Sequence, residues 1–159
     1  MRGLYFLAVV AVLALGVLYM MDQKGITFSS FFVGERNVIT IGEVQLEVEV
    51  VDSLEGRRQG LSGRKDIGEG VVGLFMVFDE SGYHAIWMKD MHFSIDIVWI
   101  SEEGSVVHIE RGFAPDTYPR IFEPSRPARY VLETERGFVE VYGISVGDRV
   151  TIPGWITAQ

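Results

Sequence analysis

Cysteine is missing from the 159-residue chain, and Asn37 is its single asparagine. Without a thiol the chain forms no disulfide, has no cysteine nucleophile and cannot take the lipid of a lipoprotein. Asn37 is followed by Val38 and Ile39, so the chain has no acceptor for an N-linked glycan. The fold must therefore be held without covalent cross-links.

Positive charge is also sparse. The chain has 14 Lys and Arg against 22 Asp and Glu, a formal net charge of −8, and the basic residues form no run. An acidic surface repels phosphate, so we predict no nucleic-acid partner. The hydrophobic fraction of 48% is ample for a packed core, which excludes a mainly disordered chain.

An apolar stretch opens the chain. Residues 3–21 carry no charge, and at about 1.5 Å per helical residue they reach roughly 28 Å, close to the thickness of a bilayer core. Large residues at positions 19–21 do not suit a signal-peptide cleavage site, so we predict an uncleaved transmembrane helix rather than a removed signal peptide. This stretch is the predicted membrane contact.

The charges beside the apolar stretch predict its orientation. Arg2 precedes it, whereas Asp22 and Lys24 nearly cancel after it, which places the remainder outside the cell membrane, in the periplasm or at the cell surface. The predicted organisation is a signal-anchor (residues 1–22), a spacer (residues 23–37) and a β-rich domain (residues 38–159).

Hydrophobic periodicity predicts the elements of that domain. Residues 38–50, VITIGEVQLEVEV, alternate apolar and acidic residues and predict a strand pair with one solvated face. Further strands are expected near residues 71–78, 83–88, 95–100, 106–109, 128–133 and 149–152. Short helices are expected within residues 53–64 and 135–142. Residues 114–127 are expected to form a surface loop, because their four prolines exclude a central strand.

Several short strands with few helical residues predict a mainly β fold. The expected architecture is an antiparallel β-sandwich or small barrel with two short helices, preceded by one N-terminal transmembrane helix. A parallel sheet would need longer helices between its strands.

Six ordered motifs resemble one known family. They are GLSGR (60–64), GLFMVF (73–78), IWMKDM (86–91), SIDIVWI (94–100), ARYVLE (128–133) and GISVGDRV (143–150). On these motifs the chain resembles the DUF192 family, also called UPF0127, over residues 44–150. The family pattern usually has asparagine, threonine and proline where this chain has Asp90, Met91 and Ser94. The resemblance implies a β-rich, sandwich-like barrel and an extracytoplasmic location, and it implies no known activity.

Two carboxylates fall inside predicted strands. Asp96 lies in the apolar run IDIVWI, and Glu133 ends ARYVLE. A buried carboxylate must find a partner or shift its pKa, and Arg64, Lys89 or Arg129 could supply a cation. One interpretation gathers Arg64, Lys89, Asp96 and Glu133 in a polar pocket beside Trp87 that binds ligand. The other is a structural ion-pair network.

The remaining patterns indicate less chemistry. His84, His92 and His108 lack metal-ligand spacing, and no nucleotide-binding or serine-nucleophile motif occurs, so no metal, cofactor or catalytic residue is predicted. In the proline-rich loop, Tyr118, Arg120 and Phe122 are candidate partner-binding residues. The candidate ligand-binding residues are Arg64, Trp87, Lys89, Asp96 and Glu133.

These observations leave three hypotheses open. The first is a membrane-anchored domain that binds a small polar ligand, a glycan or an envelope protein. The second is a hydrolase or lyase of envelope polymers with Asp96 or Glu133 as general base and Lys89 or Arg64 stabilising developing negative charge. The third is a structural module that binds a partner protein in a membrane complex.

Overall fold

The first hairpin follows from the alternation of residues 38–50. A computed structural model describes residues 37–157. In it, β1 (Val38–Ile41) and β2 (Val44–Val51) pair antiparallel. Leu46 and Val48 are buried, whereas Gln45, which precedes them, faces solvent and Glu47 between them is half-buried. The predicted strand pair is confirmed.

A crossover of some twenty residues leads from β2 to β3 (Gly73–Gly82). It contains α1 (Leu54–Gln59), whose first turn is capped by the Ser53 hydroxyl, which accepts a hydrogen bond from the Gly56 amide at 3.1 Å. β3 runs parallel to β2. The prediction of an entirely antiparallel sheet is wrong here, because a long crossover with one short helix is enough to join two parallel strands.

The other elements follow in short segments. They are β4 (Ile86–Trp87), β5 (Ile95–Ile100), β6 (Val106–Phe113), a 3₁₀ turn (Pro115–Thr117), β7 (Ile121–Phe122), β8 (Ala128–Glu135), α2 (Phe138–Val141), β9 (Val150–Thr151) and α3 (Gly154–Thr157). The described residues thus hold three short helices, one more than the two predicted. The proline-rich segment includes β7, which pairs with β4 in a separate two-stranded sheet.

Within residues 37–157 the main sheet has seven strands, in the order β6-β5-β8-β3-β2-β1-β9, and is curled into a half-barrel. Its two edges approach each other where β6 begins. Ser105 and Arg149 form an isolated antiparallel bridge, and the Val150 amide donates to the Gly104 carbonyl at 2.9 Å. The mainly β class is confirmed, with a curled sheet as its form.

Both faces of this sheet are covered. The concave face packs an inner core around Phe75, Val98 and Leu132. The convex face packs an outer core around Met76, Trp99 and Val131, covered by the segments that follow α1 and flank β4 and β7. All six residues of β5 are buried, as expected for a strand with two apolar faces.

The predicted transmembrane helix and spacer lie outside the described residues, apart from Asn37. Within residues 37–157 the structure has no helix with the length and hydropathy needed to cross a membrane.

Candidate functional site

Glu133 lies near the end of β8 on the convex face of the sheet. It is opposite Ile97 of β5 and opposite Leu74 of β3 in the strand register. Its side chain shares the convex face with Val131, two residues earlier. Only 4% of Glu133 is exposed. The polar residue that ends the ARYVLE motif therefore enters the outer core.

A cavity of about 370 Å³ opens above Glu133. Its lining is largely apolar with a polar rim and consists of Leu54, Arg57, Arg58, Gln59, Gly60, Leu61, Ser62, Met76, Phe78, His84, Ala85, Ile86, Trp87, Met91 and Glu133. These residues come from α1 and the segment after it, from β3, from the segment around β4 and from β8. Apolar walls with few polar groups are typical of a small-molecule pocket.

The end of α1 passes close to the Glu133 carboxyl. Gly60 has φ +49, and a Cβ at this position would lie 3.2 Å from Met76 Cε and 3.5 Å from Glu133 Oε2. Glycine accepts the positive φ and leaves the space beside the carboxyl open. The GLSGR motif thus begins with a residue that the cavity requires.

Burial dominates the electrostatics of Glu133. It raises the pKa of the carboxyl to about 7, although the positive charge of Arg64 opposes the shift. No group of residues 37–157 donates a hydrogen bond to this carboxyl. Since no fully enclosed polar side-chain atom in that range lacks a partner, the Glu133 oxygens are accessible from the cavity.

Arg64 is held by a different carboxylate. Its Nη1 and Nη2 donate to Glu49 Oε2 and Oε1 at 2.6 and 2.7 Å, a bidentate pair. These bonds lower the pKa of Glu49 and raise that of Arg64. Arg64 therefore acts on Glu133 through its charge, while its donors are used by Glu49.

Arg57 fixes α1 to the rim of the cavity. Its guanidinium donates to the carbonyls of Asp52 and Val77, the latter at 2.8 Å, and to the Asp79 carboxylate at 3.3 Å. It also lies 5.2 Å from the ring centroid of Phe78. Arg57 is not among the residues predicted to be functional, because a helix pattern shows the residue but not the carbonyls that it binds.

Phe78 and His84 form the aromatic part of the rim. Their rings stack with centroids 3.6 Å apart, and His84 Nε2 donates to the Glu80 carbonyl at 2.9 Å. In the sequence, His84 draws attention only as a histidine that lacks metal-ligand spacing. In the described part of the chain, no three His, Cys, Asp or Glu residues converge to hold a metal ion.

Asp96 does not join Glu133. It is paired with Thr134, one residue further along β8, and so lies on the concave face. Its oxygens accept hydrogen bonds from the amides of Gly112 (2.8 Å), Gly137 (2.9 Å) and Val139 (3.1 Å). The predicted single pocket with both carboxylates is therefore not formed, because adjacent register positions point to opposite faces.

Lys89 and Trp87 lie on the outer side of the site. Lys89 is exposed and lines a neighbouring cavity of about 430 Å³, away from Glu133. Trp87 is 48% exposed and lines both cavities. Of the five candidate ligand-binding residues, Trp87 and Glu133 share one cavity, with Arg64 acting electrostatically.

The three candidate partner-binding residues differ in exposure. Phe122 is only 3% exposed and packs against Phe113. Tyr118 and Arg120 are exposed, and Tyr118 makes an edge contact with Trp87. Phe122 is therefore a packing residue, while the other two remain at the surface.

Known proteins share this architecture. A crystal structure of a Sinorhizobium meliloti protein, described as a candidate transcription regulator, superposes with a TM-score of 0.67 at 27% identity and covers 72% of this chain and 92% of that one. A Novosphingobium aromaticivorans protein of unknown function has a TM-score of 0.66 at 20% identity, covering 72% and 83%. The latter shows similarity of fold alone.

Sequence comparison gives the family. The UPF0127 protein PF1050 of Pyrococcus furiosus is 30% identical over 118 residues, which are 72% of this chain and 93% of that protein. The family model DUF192, described as "Uncharacterized ACR", matches residues 37–152. The chain therefore belongs to the DUF192, or UPF0127, family.

Proposed function

We propose that this protein is a binding domain for a small molecule, which enters the cavity between α1 and the convex face of the sheet. The observation that carries the proposal is the Glu133 carboxyl, buried at the cavity with no hydrogen-bond donor among residues 37–157. Its oxygens are accessible from the cavity, so a ligand there can supply the hydrogen-bond donors and offset the cost of burying the carboxyl.

The cavity walls favour a less polar ligand than the glycan or small polar molecule that the sequence suggested. Leu61, Met76, Ile86 and Met91 are buried apolar residues of the lining. An apolar wall favours a ligand with a substantial apolar part and few polar groups. The polar contact is then concentrated at Glu133.

The geometry favours a binding function over a hydrolase or lyase activity. Glu133, with its raised pKa, suits a general base. However, the donors of Arg64 are used by Glu49, and Lys89 lies in the neighbouring cavity. Neither cation is placed to stabilise negative charge on a substrate held at Glu133. Asp96 is less suited to act as a base, because three backbone amides already bind it.

Thermal unfolding tests the binding proposal directly. The full-length protein, in mild detergent, is screened with a metabolite library while its midpoint is followed. A ligand at ten times its dissociation constant adds about 1.4 kcal/mol, which raises the midpoint by roughly 3 to 6 °C. The variant Ala85→Trp, which fills the exposed mouth of the cavity, should lose this shift.

A matched tryptophan controls for surface effects. Ser125→Trp places the same side chain at an exposed position outside the cavity lining and should keep the shift. Equal shifts in both variants would mean that the ligand binds elsewhere and would refute this site.

The location of the domain is a second part of the proposal. The uncharged residues 3–21 support a membrane anchor, with the β-rich domain outside. We expect the protein to stay in the membrane pellet after alkaline carbonate extraction and to be digested by protease added to intact, outer-membrane-permeabilised cells. Release by carbonate, or protection of the domain until the cells are lysed, would contradict the anchor or its orientation.

A further inference from the structure

The apolar cavity contains an acid to which no cation of residues 37–157 donates a hydrogen bond. Glu133 is 4% exposed, and no Lys, Arg or His among residues 37–157 donates a hydrogen bond to its carboxyl. Among residues 37–157, Arg64 is the cation whose charge acts on Glu133, and its guanidinium is paired with Glu49. Within the described part of the chain, ionised Glu133 thus has no hydrogen-bonded cation of the kind that a buried carboxylate needs.

The rim adds an aromatic surface beside this acid. Trp87 lines the cavity and remains 48% exposed, so its ring is available to a ligand. The indole face is the best natural partner for an organic cation. A carboxylate in an apolar pocket with an exposed tryptophan at the mouth matches a molecule that has a charged amine and an apolar body.

The charge of the whole domain acts in the same direction. From residue 38 onward the chain has 11 Lys and Arg against 20 Asp and Glu, a net charge of −9. Such a surface raises the local concentration of cations and repels anions. A cationic ligand is therefore favoured on its approach as well as in the cavity.

Three basic side chains line the cavity and must be considered. Arg57 is committed to two carbonyls and to Asp79. Arg58 is exposed at the rim, where water and salt screen its charge. His84 stacks on Phe78 and donates to the Glu80 carbonyl. None of them donates a hydrogen bond to Glu133 in the described part of the chain.

We infer that the cavity takes an organic monocation, a small molecule with an apolar body and one protonated amine that pairs with the Glu133 carboxylate. The inference rests on the proposed binding function and names its ligand class. The amine supplies both the hydrogen-bond donors and the directly paired positive charge that residues 37–157 do not provide at Glu133. Binding then requires ionised Glu133 and releases the proton that the buried carboxyl holds at lower pH.

Two probes of equal shape test the inference. Isothermal titration of the full-length protein at pH 8 compares 2-phenylethylamine with uncharged 2-phenylethanol. The amine should bind at least about tenfold more tightly than the alcohol, because a charge pair in an apolar site is worth more than a neutral hydrogen bond. The anionic analogue 3-phenylpropionate should bind more weakly than either.

The variant Glu133→Gln keeps the shape and removes the charge. It should weaken amine binding about tenfold or more and change alcohol binding less than about threefold. Wild-type protein gives an independent readout. Between pH 8 and pH 6 the amine stays protonated while Glu133 takes up its proton, so the amine should bind about tenfold more weakly at pH 6.

The outcomes separate the two proposals. If the alcohol or the propionate binds wild type at this cavity as tightly as the amine, the binding function stands and the cation inference is wrong. Tighter binding of the amine at pH 6 than at pH 8 would also overturn it. If no probe binds wild-type protein at 10 mM, both the inference and this cavity as a site for such molecules are refuted.

Discussion

Glu133 links the site to the stability of the fold. Its folded-state pKa of about 7 lies above the ordinary value of 4.5, because burial penalises the charged form. The folded state therefore binds the proton more tightly than the unfolded state does. The stabilisation is fully present below about pH 4.5 and is lost as the pH rises through about 7, with a total of about 3 kcal/mol.

The variant Glu133→Gln should remove this pH dependence. Its free energy of unfolding should change little between pH 5 and pH 8, whereas that of wild type should fall by about 2 to 3 kcal/mol over the same range. Urea unfolding at several pH values measures both. At pH 8 the variant should be the more stable protein, and a lower stability than wild type there would show that the carboxylate has a partner in the fold.

Asp90 carries backbone strain beside the site. It has φ +55, the one positive φ of a non-glycine residue among residues 37–157, and its carbonyl accepts the Gly63 amide at 2.8 Å. Asparagine, the usual family residue at this position, and aspartate tolerate this conformation better than alanine does. We expect Asp90→Ala to lower the free energy of unfolding by about 1 kcal/mol and Asp90→Gly to leave it within about 0.5 kcal/mol, both measured by urea unfolding.

At the scale of elements, Asp96 joins β5 to its neighbours. Its carboxylate accepts amides from β6, at Gly112, and from the start of α2, at Gly137 and Val139. Asparagine replaces one of the two acceptor oxygens with an NH₂ group, which cannot accept a hydrogen bond from a backbone amide. Asp96→Asn should therefore destabilise the fold by about 2 to 4 kcal/mol.

Ligand binding distinguishes this structural role from a role in the site. Asp96 lies on the opposite face of the sheet from the Glu133 cavity. Asp96→Asn protein that remains folded at low temperature should bind the cavity ligand with an unchanged dissociation constant. A dissociation constant raised tenfold, with the fold intact by circular dichroism, would place Asp96 in the binding machinery after all.

Arg57 and Arg58 form a matched pair on α1. The Arg57 side chain is 10% exposed and holds β3 through the Val77 carbonyl, whereas Arg58 is exposed. Arg57→Ala should cost about 2 to 3 kcal/mol, because three acceptors and the Phe78 ring lose a partner. Arg58→Ala should change the free energy of unfolding by less than about 0.5 kcal/mol. Thermal unfolding of both variants provides the test, and equal costs would refute the role of Arg57 as the tether of α1.

Local patterns predicted the elements better than their assembly. Alternation in residues 38–50 was enough to place β1 and β2, and the face shared by Glu133 and Val131 also followed from a period of two. The register between β5 and β8 did not follow, because pairing Asp96 with Thr134 rather than with Glu133 depends on contacts between distant residues. That register decides which carboxylate lies at the cavity.

The whole molecule adds a constraint that no single strand shows. The curled sheet brings β6 and β9 together through backbone bonds around Gly104 and Val150. Gly104 has φ +73, and a Cβ there would lie 2.5 Å from the Val150 carbonyl oxygen. The turn that joins β5 to β6, residues 101–104, thus also sets how closely the two edges of the sheet approach.

The backbone contact between β6 and β9 around Gly104 and Val150 forms a seam. Substituting Gly104 tests whether this seam stabilises the whole fold. Gly104→Ala adds both an unfavourable φ and a clash with backbone, so it should lower the free energy of unfolding by more than about 2 kcal/mol. Gly70→Ala, with φ +80 but nothing within 4 Å of the added Cβ, should cost only about 1 kcal/mol. Hydrogen exchange should accelerate at the Val106 and Val150 amides in the first variant alone, because these amides donate across the seam to Asp148 and Gly104. Equal exchange in the two variants would mean that the seam contributes nothing beyond local turn geometry, and that the curl of the sheet is maintained by its inner core.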